Sequence, residues 1–113
     1  MRTPKEFESI ALWMGWLPCE WRRGIPVRWI AGAGNLRSSI KKTSLTPAEC
    51  YEALGRMVEK GYEYRYYYTK KHGHDLSVWP ENKSVVMVES LPTPSDCIEA
   101  AILALVEAEK GGA

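Results

Sequence analysis

The side chains best suited to chemistry are concentrated between Tyr62 and Asp75, in the run Tyr-Glu-Tyr-Arg-Tyr-Tyr-Tyr-Thr-Lys-Lys-His-Gly-His-Asp. Five of the six tyrosines fall within seven residues, and both histidines follow them. Such a run offers two chemistries. His72, His74 and Asp75 are a candidate metal set, because a His-x-His on a strand can turn both imidazoles to one side. A third ligand would then come from Asp75 or from a distant cysteine. The alternative is a polar hairpin turn in which Gly73 supplies a positive φ. The turn is the preferred reading, so no metal and no cofactor is expected.

The second chemistry is anion recognition. Trp21-Arg22-Arg23 and Arg28-Trp29 interleave bases with aromatic rings, as binders of single-stranded nucleic acid do. On the tyrosine-rich segment Arg65 and Tyr67 add a further cation and ring, followed by Lys70 and Lys71. Together with Trp79 these define a candidate binding surface of Arg22, Arg23, Arg28, Trp29, Arg65, Tyr67 and Trp79. The opposing reading places the tryptophans in the core with the arginines as their solvated rim. Catalysis has no such constellation. There is no Gly-x-Gly-x-x-Gly, no phosphate loop with Lys-Ser/Thr, and no His-Glu-x-x-His. Ala31-Gly32-Ala33-Gly34-Asn35 has the glycines of a phosphate cradle but not the lysine that must follow. The expectation is a protein that is not an enzyme.

Composition sets the frame for these residues. The chain has 113 residues, with 45% hydrophobic and 26% charged side chains, as in a soluble globular domain. That length suits one domain over residues 1–113. The net charge is +1, yet its sign is uneven. Residues 1–45 carry eight Lys/Arg against three Asp/Glu, and residues 46–113 carry seven against eleven. A basic front half can face an anionic partner or pair with the acidic back half, within one chain or between two, and self-complementarity is the simpler account. No apolar run is long enough to span a membrane, and no signal peptide is visible, so a cytoplasmic protein is expected. Cys19, Cys50 and Cys97 are an odd number without Cys-x-x-Cys spacing, which argues against a disulfide framework or a zinc site.

Three tetrapeptides position the elements: Thr3-Pro4-Lys5-Glu6, Thr46-Pro47-Ala48-Glu49 and Thr93-Pro94-Ser95-Asp96. In each, Thr suits the N-cap, Pro the first helical turn, and the acid the reciprocal capping bond and the positive end of the dipole. They predict helices over about 4–14, 47–60 and 94–109. The first helix presents Phe7, Ile10, Ala11 and Met14 on one stripe. The second is assigned Tyr51, Leu54 and Val58, with Cys50, Ala53 and Met57 beside them. The third buries Ile98, Ala101, Ile102 and Leu105, interrupted only by Glu99, Glu107 and Glu109. Its Leu103 and Val106 point elsewhere, a candidate self-association surface in a homo-oligomer.

Between the last two helices, strands are predicted over about 62–70, 76–79 and 84–89, with a turn over 80–83 and a hairpin turn from Lys70 to His74. Alternation puts Tyr62, Tyr64, Tyr66 and Tyr68 on one face, and Glu63, Arg65, Tyr67 and Thr69 on the other. The third strand is apolar on both sides, which predicts a sheet covered on both faces at its centre. The middle segment, 16–45, reads as irregular, basic and Trp/Arg-rich. A short hairpin is predicted there from Cys19–Arg23 and Val27–Ala31 through Gly24-Ile25-Pro26, followed by a mobile loop over 32–45. The fold class is α+β, a small antiparallel three-stranded meander with helices packed on it, sandwich-like.

Four stretches, in order along the chain, resemble the phage ABA sandwich domain, a family of small phage and prophage proteins: Ile-Ala-Leu-Trp-Met-Gly-Trp (10–16), Glu-Ala-Leu-Gly-Arg-Met-Val-Glu-Lys-Gly-Tyr (52–62), Leu-Ser-Val-Trp (76–79) and Ser-Asp-Cys-Ile-Glu-Ala-Ala-Ile-Leu-Ala-Leu-Val-Glu-Ala (95–108). The entry to the middle helix departs from that family, reading Ser44-Leu45-Thr46-Pro47. The resemblance implies an α/β/α layering and a phage origin, and supplies no catalytic residues. The helix–three strands–helix order over 46–109 also matches the double-stranded-RNA-binding domain. Here, however, the start of the last helix, Pro94-Ser95-Asp96-Cys97-Ile98-Glu99, is acidic where that domain needs lysines. The function expected is that of a non-enzymatic phage or prophage protein that acts by binding a host or phage protein, such as a defence factor it modulates. The alternatives are a nucleic-acid-binding module and an oligomer that sequesters a small anion through Arg22, Arg23 and Arg28.

Overall fold

The computed structural model describes residues 2–31, 36–38, 44–80 and 86–111. The element order is α1 (Pro4–Trp13), β1 (Leu17–Arg22), β2 (Ile25–Ile30), β3 (Leu36–Ser38), α2 (Pro47–Glu59), β4 (Tyr62–Thr69), β5 (Gly73–Pro80), β6 (Val86–Leu91) and α3 (Pro94–Gly111). The α+β class and its order are those predicted. The chain divides into two compact units, Met1–Ser44 and Leu45–Ala113.

All three helix starts form as the Thr-Pro-x-acid signal requires. Thr3 and Thr46 each accept from the N–H three residues on, and Glu6 and Glu49 return the bond to the cap N–H at 2.9 and 2.8 Å. At α3 the Asp96 N–H donates to the Thr93 hydroxyl at 3.1 Å. Thr3 also holds the Glu6 carboxylate below its ordinary range, through the backbone bond first and the hydroxyl second.

In the first unit, α1 buries Phe7, Ile10, Ala11 and Met14 as predicted, together with Trp13. Phe7 and Trp16 set their ring centroids 6.4 Å apart, in the range of a favourable aromatic pair. β1 and β2 form an antiparallel hairpin, with β3 added beside β2. The turn differs from the prediction. It is Arg23-Gly24, with Arg22 opposite Ile25, and both turn residues have positive φ, 52° and 78°. A two-residue loop with both φ positive matches the right-handed twist of its strands. Gly24 accepts that geometry freely and Arg23 does not, which is why composition alone moved the turn one residue onward. β3 forms inside the stretch expected to be a loop, and most of the rest of that stretch lies outside the described residues.

In the second unit, β4, β5 and β6 are an antiparallel meander, and α2 and α3 pack on it and on each other. The alternation is as predicted: Tyr64 opposes Val78, Tyr66 opposes Leu76, and Tyr68 opposes His74. Leu76 and Val78 are buried with Ala53 and Met57 of α2 and with Cys97, Ile98, Ala101, Ile102 and Leu105 of α3. The predicted stripe of α2 is off by one position. Tyr51 is 80% exposed and Val58 is exposed, whereas Cys50, Ala53 and Met57 are buried. Those three, with half-buried Leu54, have the i, i+3, i+4, i+7 spacing that one helix face demands.

β5 begins three residues earlier than predicted, so the β4–β5 turn is only Lys70-Lys71-His72, with Thr69 opposite Gly73. Gly73 has φ 85°, and a Cβ there would meet the Leu91 carbonyl oxygen at 2.7 Å. Of the turn expected over 80–83, Pro80 is instead the last residue of β5, opposite Tyr62; residues 81–83 and the predicted strand start at Ser84 lie outside the described residues.

Candidate functional site

With both helices of the second unit on the face that buries Leu76 and Val78, the opposite face of that sheet is built from the other parity. Glu63 lies opposite Trp79, Arg65 opposite Ser77 and Ser77 opposite Met87. At the centre Ser77 and Trp79 are half-buried, but the flanks are open: Tyr67 is 47% and Met87 59% exposed. The expected two-sided cover therefore does not extend to β4 and β6 on this face. Met87 lies on the face opposite to Val86 and Val88, as alternation along β6 requires.

Side-chain geometry orders this face. The Arg65 guanidinium carbon sits over the Tyr67 ring, 4.6 Å from its centroid, within cation–π range. The Trp79 indole N–H donates to the Glu63 carboxylate at 2.7 Å. Arg65, Tyr67 and Trp79 are thus brought onto one sheet face, as their alternation predicts. A planar cation, two rings and a flexible thioether are the side chains enriched at protein interfaces. Glu63 and Glu89 add exposed carboxylates to β4 and β6, which a polyphosphate would have to approach.

The other candidate residues belong to the first unit. Trp29 is 1% exposed, so it is a core residue and not a binding platform. Its cross-strand partner Pro18 and the buried neighbours Val27 and Ala31 place it on the inward side of β2. Arg28, on the outward side, forms an ion pair with Glu20 at 2.9 Å. Arg22 and Arg23 are exposed at the hairpin tip beside the exposed Trp21 and Ile25.

His72, His74 and Asp75 do not converge. The His72 N–H caps the turn by donating to the Thr69 hydroxyl at 3.1 Å. His74 lies on the tyrosine face, where its Nδ1 is hydrogen-bonded to the Tyr66 hydroxyl and its ring centroid lies 4.7 Å from that of Tyr68. Asp75 accepts from the Ser90 N–H at 2.7 Å, in a bulge where β6 slips by one residue between the His74 and Leu76 pairings. Ser90 takes φ 57° to make that bulge. Among the described residues, no group of three or more His, Cys, Asp or Glu could hold a metal ion.

Leu103 and Val106 are half-buried on α3, so neither is a fully open contact. Two functional-looking residues were missed. Glu49 and Glu99 are wholly buried, and the Glu99 carboxylate accepts the Leu45 N–H at 2.7 Å. Ser95 completes the arrangement by donating to the Leu45 carbonyl at 2.8 Å, which ties the start of the unit to the first turns of α3. An acid within an otherwise apolar helix was the available signal, since a buried carboxylate must have partners. Nearby, burial raises the Cys50 thiol, and burial with the Asp75 charge pushes Cys97 up to about 11. Among the described residues no helix is long and apolar enough to cross a membrane.

Comparison of the chain with known protein families, with curated proteins and with solved structures finds no match.

Proposed function

We propose that this chain is a non-enzymatic interaction protein, and that the β4–β6 face bearing Arg65, Tyr67, Trp79 and Met87 is where it binds a protein partner. The observation that carries the reading is the ordered but open state of that face, with Arg65 stacked on the exposed Tyr67 beside the exposed Met87. Stacking holds the guanidinium in place before a partner arrives, which lowers the ordering cost of binding. Met and aromatic rings supply the desolvated centre that carries most interface energy. The chemistry elsewhere supports the same class. The Cys50 and Cys97 thiols are held protonated by burial, so neither is set up as a nucleophile. His74 is engaged by two tyrosines.

The likeness to the phage ABA sandwich domain supports a phage or prophage setting, with a host or defence protein as the partner. Nucleic acid is the weaker reading for this face, because Glu63 and Glu89 sit among its cations and rings. The test is affinity capture from host lysate with the wild type and with the exposed-residue variant Arg65→Ala/Tyr67→Ala/Met87→Ser. A partner retained by the wild type and lost by the variant is expected. Equal retention by both would refute the role of this face. A gel shift at low salt with single- and double-stranded probes tests the nucleic-acid reading, which predicts a shift that weakens steeply with added salt.

A further inference from the structure

A sheet edge is a row of unpaired N–H and C=O groups, and native proteins blunt edges that must stay alone. The described edges of this molecule are treated unequally. β1 carries Pro18, which has no N–H to offer, and its register slips twice, between Pro18 and Glu20 and between Glu20 and Trp21. β6 is bent by the Asp75–Ser90 bulge. β4 has none of these devices. It is eight residues long, contains no proline, and pairs with β5 residue for residue from Tyr62 to Thr69 without a slip. Among the described residues, its other side meets no strand of the sheet. Six of its eight residues are exposed, including Tyr64, Tyr67 and Tyr68 at 39%, 47% and 60%.

We infer that β4 is the docking edge for a second copy of this chain, pairing antiparallel with its own counterpart about a twofold axis at Tyr66 to make one continuous six-stranded sheet. This goes beyond the proposed partner face, since its backbone pairing lies along the edge of the sheet, although Arg65 and Tyr67 belong to both. The register follows from side-chain complementarity. A twofold through the sheet keeps each face aligned, so the centre must fall on a residue. Centred on Arg65, the two guanidinium groups would face each other, a like-charge pair that destabilises a ladder. Centred on Tyr64, Glu63 would meet Arg65 of the partner subunit, but only Tyr62–Tyr66 would overlap, a shorter ladder than the strand allows. Centred on Tyr66, residues 63–69 all pair. Arg65 then meets Tyr67 of the partner subunit, which extends across the axis the cation–ring stacking already present within each chain. On the other face Tyr64 meets the partner's Tyr68, an aromatic cross-strand pair.

The test is the self-association of the full chain by sedimentation equilibrium, with circular dichroism to confirm that each variant is folded. The wild type is expected to show a concentration-dependent dimer. Tyr67→Lys sets a lysine opposite the partner's Arg65 and is expected to weaken the dimer about tenfold or more. Adding Arg65→Glu to it makes two opposite-charge pairs and is expected to restore most of that loss. A second readout fixes the register. In a Cys19→Ser background, Tyr66→Cys is expected to oxidise to a covalent dimer and Tyr64→Cys is not, because only residue 66 faces itself across the axis. A wild type that stays monomeric at hundreds of micromolar would overturn the inference. So would a dimer indifferent to Tyr67→Lys, a loss that Arg65→Glu does not rescue, or preferential cross-linking at residue 64.

Discussion

The two sheets are both antiparallel and three-stranded, yet they solve the same problem in opposite ways. In the first unit the hairpin is closed by a strained turn and its edge is broken up, with Arg23 in the left-handed region, Pro18 in β1 and two register slips. In the second unit the β4–β5 ladder is regular over eight pairs, and irregularity is confined to the β6 side. The first sheet is specified by its core residue Trp29 and tolerates a poor backbone fit around it. The second is specified by alternation and by buried polar anchors, and it leaves an ordered edge and face open.

The sharpest way to break this contrast is to remove each sheet's anchor in turn. Trp29→Ala is expected to cost about 3–5 kcal/mol, as large aromatic truncations in cores do. Amide exchange should accelerate in β1 and β2 far more than in β4 and β5. Glu99→Ala is expected to cost about 1–3 kcal/mol, because it leaves the buried Leu45 N–H without its acceptor. That loss should be read in the second unit. Equal loss of protection in both sheets for either variant would mean that the two units unfold as one. Thr46→Ala removes the α2 cap and should cost about 1 kcal/mol in a chemical melt.

Two smaller effects sharpen the comparison. Arg23→Gly relieves the left-handed turn residue and is expected to stabilise the first unit by about 0.5–1 kcal/mol. The other is a pH effect on the second unit. Burial first, and the hydrogen bond to Glu109 second, push Tyr62 from 10.0 up to about 12. A group whose folded pKa is raised contributes stability that is complete below its unfolded pKa and is lost as pH rises through the folded one. The Tyr62 contribution should therefore be intact below pH 10 and fall between 10 and about 12. Tyr62→Phe should flatten the alkaline limb of a stability profile.

How much of this could be read from the sequence depended on how far each signal reached. Thr-Pro-x-acid acts within four residues, and all three helix starts form where it stands. Alternation acts within one strand, and it sorted the tyrosines of β4 and brought Arg65, Tyr67 and Trp79 to one face. The α2 stripe was misplaced because Tyr51 and Val58 count as apolar by type, whereas the helix turned Cys50, Ala53 and Met57 inward. The turn at Arg23 was missed because nothing in an arginine announces a positive φ. The burial of Glu99 depends on an N–H at Leu45, 54 residues away, and no local pattern carries that information. The edge position of β4 was equally hidden, since strand order is set by how the whole sheet pairs and not by one strand.

The clamp on Leu45 also has a kinetic consequence. Its N–H and carbonyl are held by Glu99 and Ser95 at separations of 54 and 50 residues. Closing a loop of that length carries an entropic cost that the β4–β5 hairpin and the helices, being local, do not meet. The clamp should therefore form after the rate-limiting barrier, with a low φ-value. Glu99→Gln is then expected to speed unfolding while leaving the refolding arm of the chevron nearly unchanged, which makes this buried carboxylate a latch on the finished fold and not a guide to reaching it.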